Sequence, residues 1–493
     1  NIQISTNSGA AGSFVTVGTN LALAGSFDWD TTVHPSLPTV RWQVQCRQNL
    51  TWTNMSQRDF AIRNTNIVYY VNDAYTNDDM YCSAAGSATN SGLRTNAPLN
   101  SLAAVLERYD LEPGDEVRID TGNYSGSTAV VGYLDSGTSN APVVIQGSTN
   151  LAGSVFTASG IQIANARGVM LRNLRFQSPP VGFDVSSSED VIIEQVDVSG
   201  GGSGVRVTTC SNVLVRNFSA AWATNYGVDC AASFNARLEF GTIWSNGLAQ
   251  VRVDDSASGK APNTNSSLSV SNCILGSFGI RTPIYQVLGT LRANYNDLYL
   301  GSGALAALSS EAGFEREFDS VGVWASSDFG QDAMSLSHDP LFADVVGSDF
   351  HLKSTAGRWV PGVGWTNDAV SSPLIDAGAP WLPCAEPIPN GGRVNMGRHG
   401  NSPEASLTPA EGSLALISFY NGGLASGTNA LVTWLARGAA TNATLTISYS
   451  ADGGLTWSNL ISGIAATDGY WIWDTTLSEP SVQAKLTIEG SDG

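Results

Sequence analysis

Asp184, Arg206, Asp229 and Arg252 recur at spacings of 22, 23 and 23 residues, and Asp254 and Asp255 follow directly. Ionisable groups repeated at a fixed phase come together if the chain winds into coils of that length. Two carboxylates roughly 5 Å or 6.5–9.5 Å apart can hydrolyse a glycosidic bond, and Asp229 with Asp254 or Asp255 is the candidate pair. Trp471 and Trp473 share one face of a β-rich stretch, with Tyr470 and Ile472 on the other. Paired indoles can stack on sugar rings, although more often they fill a core. The charged column also has a plainer reading. Opposite charges one coil apart attract by about 0–1 kcal/mol per exposed pair, whereas like charges stacked there would repel. A second column, Arg172, Glu194, Arg216 and Glu239, alternates just as well. Catalysis requires no such second column, so ladders that set register are the preferred reading of both.

The elements that must hold these columns are read from a repeat. Gly160-Ile161-Gln162-Ile163, Gly182-Phe183-Asp184-Val185, Gly204-Val205-Arg206-Val207 and Gly227-Val228-Asp229-Cys230 are successive copies, with Gln250-Val251-Arg252-Val253 a fifth. Each copy has a second apolar run, such as Val191-Ile192-Ile193 or Val213-Leu214-Val215. Short β-rich runs at this period, without helical spacing or a Leu-rich consensus, predict a parallel β-helix with one coil per repeat. Equivalent residues then stack roughly 4.8 Å apart. Ile161, Phe183, Val205, Val228 and Val251 become one inward ladder, while Asn173, Gln195 and Asn217 become an amide stack.

Around this core the chain divides into 1–68, 69–403 and 408–493. The first and last segments alternate like small β-sandwiches, and both resemble the Ig-like modules of bacterial surface proteins. From Tyr69-Tyr70-Val71-Asn72 the order of parts is a strand, a Pro98-then-Leu99 entry to a helix capped by Asn100 or Ser101, a Pro113-Gly114-Asp115 turn, and Gly122-Asn123-Tyr124. Far downstream stand Ser372-Pro373-Leu374-Ile375-Asp376-Ala377-Gly378 and Arg393-Val394-Asn395-Met396-Gly397. Together these strings resemble the entry cap and exit segment of secreted bacterial right-handed parallel β-helix proteins, the pectate-lyase-like superfamily. The resemblance implies an all-β protein with a right-handed solenoid between two sandwiches and a location outside the cell or on its surface. It fixes the fold and not the function, because lyases, hydrolases and proteins with no known activity share it.

Calcium-dependent lyases of that superfamily use several carboxylates on adjacent turns, together with an Arg or Lys base. Here Asp254-Asp255 is the one acidic pair near the face, its neighbours are Ser256, Ala257 and Ser258, and Lys260 lies in a polar insertion. The polygalacturonase-like strings Asn-Thr-Asp, Gly-His-Gly and Arg-Ile-Lys are missing. Ser450-Ala451-Asp452-Gly453-Gly454-Leu455-Thr456-Trp457 matches the Asp-box of sialidase propellers, but one copy makes a hairpin turn and not a propeller.

Composition narrows the partners. The 493 residues carry 24 Lys+Arg against 43 Asp+Glu, a net charge of −19, which argues against nucleic acid. The excess lies off the repeats, since residues 160–281 hold nine cations and nine acids. No apolar run is long enough to span a membrane. The six cysteines show no zinc or redox spacing, and Cys230 falls in an inward column. The four histidines are scattered outside the repeats. The resulting expectation is a non-enzymatic extracellular scaffold or adhesin that needs no cofactor. It would associate with itself or with neighbouring subunits through its end sandwiches, the C-terminal one of which a neighbour's strand could complete. The alternative is a secreted polysaccharide lyase or glycoside hydrolase, with calcium only in the lyase case. A glycan-binding role for Trp471 and Trp473 is the third reading.

Overall fold

The glycine at the head of each repeat is explained by packing. In the computed structural model a Cβ on Gly204 would lie 2.4 Å from the Gly227 carbonyl oxygen, and one on Gly182 would lie 2.6 Å from that of Gly204. Only glycine lets successive coils approach this closely. The model describes residues 1–22, 25–254, 267–277, 279, 282–286, 290–301, 306–311, 314–327, 331–420 and 422–491. Asp255, Lys260 and most of the polar insertion lie outside the described residues.

The coils stack as parallel sheets. One sheet runs through Ile161–Ala164, Val181–Ser186, Ser203–Thr208, Tyr226–Ala231 and Ala249–Asp254, with Gln162, Asp184, Arg206, Asp229 and Arg252 in register. Another runs through Arg167–Arg172, Glu189–Ser199, Ser211–Ala221 and Ala236–Trp244, with Arg172, Glu194, Arg216 and Glu239 in register. The inward ladders belong to one continuous buried core. The amide column marks a corner: Asn173, Gln195 and Asn217 all have φ near +50°, and Phe240 continues them. Asparagine tolerates this left-handed backbone better than most residues, which accounts for two of the four choices.

Both ends of the core are covered. The helix Leu102–Arg108 starts at Ser101, whose Oγ accepts the Ala104 N–H at 3.1 Å, and it buries Leu102 and Val105. Asp115 of the Pro-Gly-Asp turn is fully buried. It accepts two hydrogen bonds from Arg63, at 2.6 and 2.9 Å, and one from the Ile67 N–H. The turn therefore ties the N-terminal strands to the first coil. At the far end Ala307–Glu311 and Phe314–Phe318 form an antiparallel pair, and Trp324 of the short helix Val321–Ala325 closes the core.

The chain then folds back along the flank of the solenoid. Phe342, Phe350, Leu374, Ile375 and Met396 pack against Ala221, Trp244 and Ile274 of the coils. Arg398 reaches Asp197 at 2.8 Å, and Asn217 donates to the carbonyls of Arg398 and Gly400. One flank of the solenoid is thus sealed by its own exit segment.

The outer segments are antiparallel. Residues Ile2–Ile62 form a five-stranded sheet around Ile4, Val40 and Ile62. The apolar run Leu21-Ala22-Leu23-Ala24 forms no strand at Leu21 and Ala22, and Leu23 and Ala24 lie outside the described residues. At the C-terminal end two three-stranded sheets share a core that includes Val432, Trp434, Ile447 and Trp473. Arg437 anchors this unit by donating to the carbonyls of Pro373 and Ile375. All six cysteines are free thiols, and burial pushes Cys230 up to about 12. No helix among the described residues is long and apolar enough to cross a membrane.

Candidate functional site

The outer column brings its charged residues together, and the arginines hold it closed. Arg206 grips Asp184 in a two-point contact, Nε to Oδ1 at 2.9 Å and Nη2 to Oδ2 at 2.7 Å. Arg252 donates through Nη1 to Asp229 at 3.0 Å and through Nη2 to Asp254, with its guanidinium over the Tyr226 ring. The candidate pair Asp229 and Asp254 is therefore bridged by a guanidinium, where an inverting hydrolase would need water. Asp254 is buried, and burial raises the Asp229 carboxyl above its usual range although Arg252 opposes the shift. Hydrogen bonding to Asp184 raises Arg206. Burial would lower Arg252, but Asp229 and Asp254 outweigh it. Both arginines are thus held protonated, the opposite of what a lyase base requires.

In the second column one coil-to-coil pair forms, and Arg172 donates instead to Gln146 at 2.8 Å. Arg216 contacts Glu194 at 2.6 and 2.8 Å, and Arg237 lies 3.4 Å from Glu239 on its own strand.

The tryptophans are placed differently from a glycan platform. Trp473 is buried, packs on Tyr449, and donates its Nε1–H to Ser478 at 3.1 Å. Trp471 is half-buried against the same core, while Tyr470 and Ile472 face solvent. Both indoles therefore lie against the core of their unit, Trp473 the more deeply. Trp471 pairs with Val432, whose side chain is fully buried, so that face of the strand belongs to the core. The Asp-box string forms a turn: Asp452 accepts from the amides of Leu455 and Thr456 and from the Thr456 hydroxyl. Trp457 stays partly exposed.

A separate cluster lies on the exit segment. The rings of His351 and His399 stack with centroids 3.5 Å apart and planes at 17°. Glu404 Oε2 is 3.6 Å from His351 Nε2 and 3.2 Å from His399 Nδ1. His351 donates its Nδ1–H to Asp349 at 2.6 Å, and Asp349 lies beside Arg358, which is held by Asp368. Burial pushes His399 down to about 4, helped by the charge of His351. Burial also works against charge on His351, but Asp349 and Glu404 prevail and raise it. The two histidines occupy unrelated strings of the sequence, and only the folding-back of the exit segment joins them. The alternation Asp349-Phe350-His351, which puts acid and imidazole on one side of a strand, is the one local signal for it.

Stacked parallel coils of this kind make an all-β solenoid. Residues 159–296 match the family described as "Right handed beta helix region", and residues 320–378 match "Disaggregatase related". No curated protein matches. Among solved structures, a pectate lyase (pelN) from Paenibacillus sp. 0602 aligns at 9% identity and a TM-score of 0.22, over 54% of this chain and 82% of that one. The catalytic domain of a GH87 α-1,3-glucanase in complex with nigerose aligns at 9% and 0.17, over 54% of this chain and 61% of that one.

Proposed function

We propose that the chain is an extracellular scaffold or adhesin segment in which a stiff β-helical shaft is carried between small Ig-like modules. The observation that supports this reading is the closure of the outer column. Asp184 and Asp229 are each held by the arginine of the following coil, and Asp254 by Arg252 beside it. Such a column sets register and keeps like charges apart, but it leaves no ready acid and base. The end modules are where neighbouring subunits would meet. Electron microscopy of the purified protein should show end-to-end particles. A uniform monomer at all concentrations would remove the assembly part of the proposal.

The second reading is a secreted carbohydrate-active enzyme, a polysaccharide lyase or glycoside hydrolase, working on the same face. Two observations favour it. The Asp229 carboxyl is raised, as a general acid requires. Asp254 also leads directly into the insertion carrying Asp255 and Lys260. The names found by comparison, a pectate lyase and a glucanase, belong with this reading. A polysaccharide panel decides: products that vanish in Asp229→Ala establish cleavage on this face.

A further inference from the structure

We infer that His351, His399 and Glu404 form a binding site for a divalent transition metal of the zinc type. The argument starts from tautomers. Asp349 takes the Nδ1–H of His351, so in the neutral ring the lone pair sits on Nε2, the atom facing Glu404. The His351 side chain is 4% exposed, and neither its Nε2 nor His399 Nδ1 has a hydrogen-bond partner. Leaving buried ring nitrogens without partners is costly. The His399 Nδ1 to Glu404 contact of 3.2 Å lacks hydrogen-bond alignment. A cation between them would give the unpartnered ring nitrogens and the carboxylate a shared partner.

Distances agree with this chemistry. Ligand atoms about 2.0–2.2 Å from a tetrahedral zinc ion lie roughly 3.3–3.6 Å from one another. The three atoms here are all within 4.8 Å, and two of their separations are 3.2 and 3.6 Å. Two imidazoles and one carboxylate select a borderline metal over calcium or magnesium, which prefer all-oxygen shells. The surrounding residues are also those of a metal site, in which a carboxylate orients the ligating imidazole. Asp349 does this for His351, and Arg358 and Asp368 steady Asp349. The stacked rings have nearly parallel lone pairs, so binding must splay them. Glu404 at 45% exposure leaves the fourth position open to water. Bound metal would pin Asp349–Leu352 to the exit turn that contacts the coils.

The test is zinc binding to the full chain. Dialysis against zinc should leave a single equivalent bound and raise Tm, and His399→Ala and Glu404→Gln should lose both effects while keeping the wild-type circular dichroism. X-ray absorption of the zinc-loaded wild-type protein, which needs no variant, should show imidazole nitrogen and oxygen ligands only. No stoichiometric zinc, sulfur ligation by the free cysteines, or equal zinc in the two variants would overturn the site.

Discussion

Asp229 and Glu386 show how burial treats a carboxylate according to its company. Asp229 keeps a guanidinium beside it, whereas Glu386 has only two backbone amides, Asn395 and Asn401, on one oxygen. Burial therefore pushes Glu386 up to about 7 from 4.5. A carboxyl raised in the folded state adds stability below its unfolded value and loses it as pH rises through the folded one. Stability should fall between pH 4.5 and about 7, by at most about 3 kcal/mol from this group. Glu386→Gln keeps the accepting oxygen and removes the charge, so denaturation curves of the variant should lose that slope. The pair Asp184–Arg206 belongs at the same scale. Its side chains are about a quarter and two-fifths exposed, so a double-mutant cycle should give a coupling of about 0–1 kcal/mol despite the two-point geometry.

The coil is the element that turned sequence into structure. Glycine heads, inward aliphatics and alternating charges recur at one phase because every coil meets its neighbour at the same height, so the register of both charged columns was legible. Gly204→Ala should cost about 1–3 kcal/mol in urea denaturation, since the new methyl meets the carbonyl of the next coil. What stayed hidden were contacts without a period. Arg398 with Asp197, and His351 with His399, are brought together by a return of the chain that no local pattern announces. The alternation of residues puts Trp471 and Trp473 on one face of their strand. Which face is inward depends on the opposing sheet, which the alternation of residues alone does not specify.

For the whole molecule, covered ends, one sealed flank and neutralised outer columns describe a shaft more readily than a cleft. The exit segment and the C-terminal unit are fastened to that shaft at named points. Arg437 on the carbonyls of Pro373 and Ile375 is the most buried of them, and Arg437→Ala should lower stability by several kcal/mol as these carbonyls lose their donor. The central claim is that Arg252 holds Asp229 and Asp254 for structure and not for turnover. Assay of new reducing ends and unsaturated uronates on a polysaccharide panel tests it most directly, with wild-type and Asp229→Ala proteins side by side. The account predicts no product from either. Product formed by the wild type and abolished in Asp229→Ala would contradict it.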